Sequence, residues 1–299
     1  MTKSTWNTYD ISDQKGRRVV ITGATSGIGK EAARILAGKH ASVIIGARNL
    51  EKAAGVIEEI RNEFSDADVT ARELDLSSLE SVNAFADSIV ADFDQLDVLI
   101  NNAGIMMCPY SKTADGFEIQ MGTNHLGHFA LTGRLLPLLK ATEGSRLVVV
   151  SSMAHKMGRI EFSDFDWESR KYDTSRAYGD SKLANLYFTY ELARKLENYG
   201  KDPVVTAAHP GWTETDLQRH SGLMGFLNHI FAQGVDMGAL PTLRAGFDPD
   251  AKSGDYFGPS RFFEMHGNPE KVESNDLSHD AEAAHALWAK SEELTGVSY

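Results

Sequence analysis

The stretch Arg18-Val-Val-Ile-Thr-Gly-Ala-Thr-Ser-Gly-Ile-Gly29 decides the fold of this chain. It begins with an apolar, β-branched run that is typical of a buried strand. Glycines follow at once, and apolar residues then recur at the spacing of an amphipathic helix. The helical stripe consists of Ile28, Ala32, Ile35 and Leu36. A strand, a glycine-rich turn and a helix in this order predict the first unit of an α/β domain.

The glycines of this turn indicate a phosphate-binding loop. Glycine lets a pyrophosphate approach the backbone, and the following helix offers free N–H groups and the positive end of its dipole. Glycines also occur in plain turns, so the position between a strand and a helix is what favours a dinucleotide. The residues predicted to contact the cofactor here are Gly23, Thr25, Ser26, Gly27, Ile28 and Gly29.

The rest of the chain repeats this alternation of apolar runs and helical patterns. Further predicted strands are Ser42–Gly46, Val69–Leu74, Leu96–Ile100, Arg146–Val150 and Val204–Ala208. One helical pattern covers Leu50–Phe64, and Ser77 with Glu80 predicts a capping box that opens the next helix. Apolar runs of this kind suit strands covered on both faces. The sequence therefore predicts an α/β fold, a Rossmann-type doubly wound parallel sheet flanked by helices on both faces.

No linker or internal repeat divides the chain, so residues 1–299 are predicted to form a single domain. The later elements predicted are an apolar helical segment over Leu217–Ala245, a late edge strand at Asp255–Phe257 and a final helix over Ala281–Leu294. An irregular segment after the sixth strand lies near the carboxyl ends of the strands, where ligands bind in such folds. Residues 211–245 are therefore predicted to hold a substrate loop.

Composition and charge argue against several classes of protein. The chain carries 30 basic and 42 acidic residues, a net charge of −12, which is unfavourable for binding nucleic acid or an anionic membrane surface. Its one cysteine, Cys108, permits no intramolecular disulfide. The apolar stretch Leu223–Phe231 is far shorter than the ~20 residues of a membrane span, and Met1–Asp10 do not resemble a secretory signal. These features predict a reducing, cytoplasmic location and no membrane span.

Tyr178 and Lys182 form a candidate acid/base pair in Tyr178-Gly-Asp-Ser-Lys182. Residues four apart lie on one face of a helix, so the phenol and the ammonium can point at one ligand. The reference pKa of tyrosine is ~10, and a nearby lysine cation is expected to lower it by favouring the phenolate. Carbonyl reduction needs a proton donor poised near the working pH. The spacing alone is common, and its weight comes from the motifs around it.

Several motifs follow in the order of one family. They are Thr22–Gly29, Asn101-Asn-Ala-Gly104, Asn124, Ser151-Ser152, Tyr178 with Lys182, and Pro210-Gly211. In these residues, over 16–260, the chain closely resembles the short-chain dehydrogenase/reductase family. The stretch Tyr178–Leu196 and the segment after Ser152 resemble its retinol-dehydrogenase-like branch. The resemblance implies an enzyme that moves a hydride between a nicotinamide cofactor and a carbonyl or alcohol group.

The resemblance also implies four catalytic residues. Tyr178 would deliver or remove the proton on the substrate oxygen, and Ser152, rather than Ser151, would polarise the carbonyl. Lys182 would hold the nicotinamide ribose and tune Tyr178, and Asn124 would anchor a water molecule that relays protons from Lys182. The alternatives are structural, because the serines could merely end a strand and Asn124 could be a buried polar group of its helix.

Further cofactor contacts are implied by the same resemblance. Asp75, at the end of the third strand, and Leu76 would contact the adenine. The nucleotide cleft would be lined by Asn102, Ala103 and Gly104, and the nicotinamide end by Tyr178, Lys182, Pro210, Gly211, Thr213 and Thr215. At the end of the second strand an NAD-binding enzyme usually places Asp or Glu. This chain has Arg48, whose guanidinium can bind a 2′-phosphate. NADP(H) is therefore predicted over NAD(H), with a solvated strand-end arginine as the alternative.

Three histidines invite a metal interpretation. His125 and His128 lie three apart, and His155 follows the Ser152 motif. Packing and surface roles are far commoner for such residues, and no third ligand is evident. No metal site is predicted.

The gap of 26 positions between Ser152 and Tyr178 is longer than in many members of the family and is shared with the retinol-dehydrogenase-like branch. The insertion, residues 154–177, carries Phe162, Phe165, Trp167 and Tyr172. It could shape a substrate mouth, contact a second subunit or only be pinned down by its aromatic residues. Members of the family commonly form homodimers or homotetramers.

Apolar residues near the expected site favour a moderately lipophilic carbonyl or alcohol substrate. They are Met106, Met107, Leu223, Phe226 and the aromatic residues of the insertion, with ordinary core packing as the alternative. Two other functions stay open at this point: an NADP(H)-binding redox sensor or partner-binding protein with little turnover, and an epimerase or dehydratase that retains its cofactor. The set of Ser152, Tyr178 and Lys182 argues against the first, and the glycine spacing argues against the second.

Overall fold

The computed structural model describes residues 5–197, 203–212 and 233–299, whose strands form one eight-stranded sheet. The strands are β1 (Arg18–Thr22), β2 (Ser42–Ala47), β3 (Val69–Glu73), β4 (Val98–Asn101), β5 (Arg146–Val150), β6 (Val204–Ala208), β7 (Tyr256–Arg261) and β8 (His266–Val272). Their order is β3-β2-β1-β4-β5-β6-β7-β8, and among them only β7 and β8 pair antiparallel.

Helices cover both faces of this sheet, which confirms the predicted doubly wound fold. The helices are α1 (Gly27–Ala37), α2 (Leu50–Glu63), α3 (Leu79–Asp92), α4 (Gly127–Ala141), α5 (Thr174–Leu196), α6 (Val235–Phe247) and α7 (Ala281–Thr295). α1, α2 and α6 pack on one face, and α3, α4 and α5 pack on the other. Within the described ranges, no helix has the length and apolar character that crossing a membrane requires.

The strand order reverses between β1 and β4, and this reversal places the site. β1 pairs with β2 on one side and with β4 on the other. The crossovers leave these two central strands in opposite directions, so a crevice opens beyond their carboxyl ends, where open α/β sheets bind ligands. A π-helical turn, Gly122–Leu126, leads into α4 close to this crevice.

Two predicted features differ from the structure, and a third lies largely outside the described residues. β7 was expected at the edge of the sheet, but β8 pairs with it and forms the edge. β8 could not be predicted from hydrophobic patterning, because it is polar and contains Pro269. Ser78, not Ser77, caps α3 by accepting the N–H of Ser81. The predicted helical segment over 217–245 is described only from residue 233, and there α6 begins at Val235.

Candidate active site

A cavity of about 670 Å³ opens at the carboxyl ends of the central strands. The predicted site residues that line it are Gly23, Thr25, Ser26, Gly27, Ile28, Gly29, Arg48, Asp75, Leu76, Asn102, Ala103, Gly104, Ser152, Tyr178, Lys182, Pro210 and Gly211. Asn124 lies behind its wall and is fully buried. Thr213 and Thr215 lie outside the described residues. The glycine loop and three of the four predicted catalytic residues, Ser152, Tyr178 and Lys182, therefore share one cavity.

The glycine loop packs too tightly against the loop after β4 to accept side chains. A Cβ on Gly23, which has a φ of +70°, would lie 2.8 Å from the Cα of Ala103. A Cβ on Gly29 would lie 2.4 Å from Nδ2 of Asn102, and that amide donates to the carbonyl of Thr22 over 2.9 Å. The two loops form a backbone cradle that a phosphate group can approach closely.

The helix that follows this loop begins without a side-chain cap. The side chain of its N-cap residue, Ser26, accepts no hydrogen bond from the helix, whereas the side chain of Asn49 caps α2 and that of Ser78 caps α3. The first N–H groups of α1 and its positive dipole end are therefore directed to the cavity, where they can bind an anion. The cradle and this helix end together fit the pyrophosphate of a dinucleotide.

The substitution Gly29→Ala tests the cradle. The added methyl group overlaps Asn102, so we expect the free energy of unfolding to fall by about 1–3 kcal/mol and NADPH binding to weaken at least about tenfold, because the cradle must widen. NADPH fluorescence titration and urea unfolding measure the two effects. Gly55→Ala is the matched control: a Cβ there meets nothing within 4 Å, and we expect unchanged binding and about 0.5–1 kcal/mol of added stability. Equal NADPH affinity in both variants contradicts the cradle.

Arg48 and Asp75 stand just beyond the ends of β2 and β3 in the cavity lining. Arg48 is exposed, and the next residue, Asn49, caps α2 by accepting the N–H of Lys52 over 2.8 Å. Oδ1 of Asp75 accepts the N–H and the hydroxyl of Ser77 over 2.9 and 2.7 Å, which fixes the orientation of the carboxylate. An exposed guanidinium beside a helix N-terminus suits a phosphate group.

Tyr178, Ser152 and Lys182 converge on the same cavity. The side chains of Tyr178 and Ser152 are hydrogen-bonded, and Nζ of Lys182 lies 5.7 Å from the centre of the Tyr178 ring. Nζ of Lys182 donates to the carbonyl of Val150 at the end of β5 over 3.1 Å. Tyr178 and Lys182 share one face of α5, as their spacing predicts, and both are buried.

Burial reverses the expected pKa shift of Tyr178. Desolvation raises the pKa of Tyr178 to about 12, and the hydrogen bond with Ser152 opposes this only in part. Desolvation also lowers the pKa of Lys182 to about 8. The expected lowering of the Tyr178 pKa does not prevail in this arrangement, because desolvation is the largest effect and disfavours the phenolate and the ammonium alike. Tyr178 is therefore a neutral phenol near pH 7, able to donate a proton.

The two serines after β5 have different partners. Oγ of Ser151 is buried and donates to the carbonyl of Lys182 over 2.8 Å, so it ties β5 to α5. Ser152 is only partly buried and reaches Tyr178. Its Oγ also accepts the N–H of Ala154 over 3.2 Å. This geometry favours Ser152 as the serine that faces a ligand.

Asn124 is held in the π-helical turn by both ends of its side-chain amide. Its Oδ1 accepts the N–H of Ile105 over 2.8 Å, and its Nδ2 donates to the carbonyl of Ile105 and to Oγ of Ser181, each over 2.9 Å. These bonds fix the loop after β4, and single π-helical turns are frequent at functional sites. The water-anchoring role of Asn124 stays a prediction.

His128 connects this turn to the glycine loop. Its Nδ1 lies 2.9 Å from the carbonyl of Asn124, and its Nε2 lies 2.9 Å from Oγ1 of Thr22. That hydroxyl already accepts the N–H groups of Asn102 and Ala103 over 3.0 and 2.9 Å. Both lone pairs of Thr22 are thereby used, so its proton goes to Nε2 and His128 donates from Nδ1. The ring is thus assigned as neutral.

The other histidines of the metal interpretation have protein partners as well. Nε2 of His125 lies 2.8 Å from Oγ of Ser291, and Nδ1 of His155 lies 2.7 Å from the carbonyl of Ser152. In the part of the chain that the structure describes, no group of histidine, cysteine and carboxylate side chains is arranged to hold a metal ion.

Sequence reasoning missed part of the cavity wall. Met153, Met157 and Met265 also line it. The first two directly follow the Ser152 motif, so their position was a usable signal. Met265 belongs to the β7–β8 hairpin, which no local pattern indicates, and its carbonyl accepts the N–H of Trp212 over 3.0 Å.

Comparison with known proteins agrees with this site. A family model described as short chain dehydrogenase matches residues 17–224. Retinol dehydrogenase 13 of Homo sapiens is 41% identical, over 94% of this chain and 85% of its own length. The crystal structure of an uncharacterized protein from Mycobacterium paratuberculosis is 42% identical, with a TM-score of 0.84 and 99% of each chain covered.

A further solved structure contains a cofactor. A protein of Shigella flexneri 2a, described as a short chain dehydrogenase complexed with NADP, is 27% identical, with a TM-score of 0.62, over 82% of this chain and 98% of its own. Family match, sequence identity and site geometry point the same way. The chain belongs to the short-chain dehydrogenase/reductase family, in its retinol-dehydrogenase-like branch, and is an NAD(P)-dependent oxidoreductase of CH–OH and C=O groups.

Proposed function

We propose that this protein is an NADP(H)-dependent reductase of moderately lipophilic aldehydes or ketones and a dehydrogenase of the corresponding alcohols. One observation carries the proposal. The neutral phenol of Tyr178 and its partner Ser152 share a cavity with a phosphate cradle and with Arg48. The proton donor and the groups that would hold a phosphorylated nucleotide thus face the same cavity.

The protein supplies the proton and the orientation for this reaction. A nicotinamide, when bound, supplies or accepts the hydride. Tyr178 donates its phenolic proton to the carbonyl oxygen as that oxygen gains negative charge. The hydroxyl of Ser152 donates a second hydrogen bond to the same oxygen and favours the transition state. The ammonium of Lys182, held by the carbonyl of Val150, stabilises the phenolate that remains.

The preference for NADP(H) rests on Arg48. The residues between the end of β2 and the start of α2 include no carboxylate for a ribose 2′-hydroxyl. Arg48 and Lys52 both line the cavity there and offer positive charge to a 2′-phosphate. The related Shigella protein complexed with NADP supports the same choice.

The lipophilic character of the substrate is supported by the cavity wall. Of the seven methionines in the described residues, five line it: Met106, Met107, Met153, Met157 and Met265. Methionine side chains are apolar and adapt to irregular shapes. Such a wall suits an alkyl chain or a ring system better than a polyhydroxylated substrate.

NADPH oxidation with a panel of aldehydes and ketones, with NADH in parallel, tests the proposal. We expect turnover with NADPH that is strongest for apolar carbonyl compounds and weak with NADH. Turnover of polar sugars alone would refute the lipophilic assignment, and tighter binding of NADH than of NADPH would refute the cofactor assignment. NADPH binding without turnover of any carbonyl compound would favour the redox-sensor function.

The substitution Arg48→Ala tests the cofactor preference directly. Loss of a charge-assisted hydrogen bond costs about 1.5–3 kcal/mol, so we expect the KM for NADPH to rise about 10- to 100-fold while the KM for NADH changes less than about twofold. Steady-state kinetics with both cofactors measure the change. Arg134→Ala is the matched control, because Arg134 pairs with Asp87 and is not among the residues that line the cavity. An equal rise of the KM for NADPH and of the KM for NADH would mean that Arg48 does not bind the 2′-phosphate.

A further inference from the structure

A buried carboxylate joins the insertion of residues 154–177 to the cavity wall. Glu118 is 0% exposed, and its Oε1 accepts the hydroxyl of Tyr172 over 2.6 Å. The same carboxylate accepts the N–H of Gln120 over 2.9 Å, and the N–H of Glu118 donates to Oδ1 of Asp166 over 2.9 Å. A carboxylate in this position depends on its donors, because burial without them is costly. Tyr172 and Asp166 both come from the insertion.

The side chain of Gln120 extends this hydrogen-bond network to the cavity wall. Its Nε2 donates to the hydroxyl of Tyr172 over 2.8 Å and to the carbonyl of Thr174 over 3.0 Å. Its Oε1 accepts the N–H of Met107 over 2.7 Å. Both donor positions and the acceptor of this amide are used, so the side chain cannot turn without losing bonds.

Met107 is the residue that needs this support. Its φ of +50° lies in the left-handed region, which costs energy for a residue other than glycine. Ile105, Met106 and Met107, here called the methionine loop, all line the cavity. Asn124 holds the Ile105 end of the loop through both backbone groups. Gln120 holds the Met107 end, so each end of the methionine loop is fixed by a different residue.

The insertion is itself held in place by the packing of its aromatic residues. Phe165 and Trp167 are buried, and the ring of Tyr172 packs edge-on against Trp167 with centroids 5.3 Å apart. The guanidinium of Arg170 lies 3.6 Å from the centre of a Trp167 ring. Within the described residues, the insertion packs on its own chain, lines the cavity with Ala154 and Met157, and is linked to the cavity wall through Tyr172 as well.

We infer that Tyr172 and Gln120 are positioning residues that set substrate selectivity, because they hold Met106 and Met107 against the apolar part of a large lipophilic carbonyl substrate. The inference rests on the proposed function. A long or bulky substrate extends from Tyr178 to the methionine loop. A small carbonyl compound needs only the groups around Tyr178, so a change in the network affects the large substrate selectively.

The substitution Tyr172→Phe tests this inference, because it removes one hydroxyl and keeps the packed ring. With NADPH, we expect kcat/KM for decanal to fall about tenfold, mainly through KM, and kcat/KM for propanal to stay within about twofold. The Kd for NADPH is expected to be unchanged. Gln120→Met removes the acceptor for the N–H of Met107 and is expected to shift the ratio in the same direction. Tyr190→Phe, which loses a bond to Oγ of Ser274 of 2.7 Å, is the matched control and is expected to keep the ratio.

Amide hydrogen exchange gives a second measurement that needs no turnover. We expect the N–H of Met107 to exchange at least about tenfold faster in Tyr172→Phe and in Gln120→Met, but not in Tyr190→Phe. Equal loss for decanal and propanal, or unchanged exchange at Met107, overturns the inference. Failure of the unsubstituted protein to reduce either aldehyde counts against the proposed function instead, and the exchange experiment still decides whether the network holds the loop.

Discussion

Replacing Tyr178 by Phe is expected to lower kcat for carbonyl reduction by about 10³-fold, within the range attributed to a positioned general acid. The variant loses only the hydroxyl that would protonate the substrate oxygen. The ring stays packed at 7% exposure, so we expect the fold and the Kd for NADPH to be retained. Single-turnover reduction and NADPH titration separate these two quantities.

Tyr187 offers a matched control on the same helix. It is also a buried phenol, and desolvation raises its pKa to about 12, as it does for Tyr178. It does not line the cavity, so Tyr187→Phe is expected to change kcat by less than about twofold. If Tyr178→Phe kept more than about one tenth of the activity, Tyr178 would not be the proton donor of this reaction.

Acidification from pH 7.5 to 5.5 is expected to lower the free energy of unfolding by about 3 kcal/mol. Desolvation lowers the pKa of His125 to about 3, and that of His128 and His155 to about 4. In the unfolded chain these rings titrate near 6.5. Between pH 6.5 and 4 the unfolded state therefore binds more protons than the folded state, and stability falls as the pH falls through this window.

The size of the effect follows from these shifts. Each of the three rings contributes about 1 kcal/mol of the loss over this interval. Asp180 opposes it in part, because burial raises its pKa to about 6 and the folded state takes up a proton there. For His128 the hydrogen bonds give a further reason, since a second ring proton would meet the donating hydroxyl of Thr22.

Urea unfolding at the two pH values checks the expectation. His128→Gln removes one titrating ring, so its loss of stability between pH 7.5 and 5.5 is expected to be about 1 kcal/mol smaller than that of the unsubstituted protein. A stability profile that is flat between these pH values would show that the buried rings are not held neutral.

The parts of this protein that could be predicted from sequence are those that local chemistry determines. The strands β1, β5 and β6 match the predicted bounds, because each is an apolar run covered on both faces. The glycine loop was predictable since it stands between a strand and a helix. The pairing of Tyr178 with Lys182 follows from helical spacing alone.

The misses depend on contacts between residues far apart in the chain. β8 is recognisable only by its pairing with β7, and Met265 enters the cavity with that hairpin. The direction of the Tyr178 pKa depends on burial, which spacing does not reveal. The connection from Tyr172 to Met107 passes through Gln120, and no sequence motif marks it.

β8 has a consequence for the behaviour of the protein at high concentration. An unpaired strand at the edge of a sheet is a template on which a second polypeptide can add a strand, and such addition leads to aggregation. At this edge of the sheet, β8 contains Pro269, which has no N–H to donate, and the exposed charged side chains of Glu270 and Lys271. The hairpin that brings Met265 to the cavity thus also ends the sheet with a strand to which a strand of a neighbouring molecule pairs poorly.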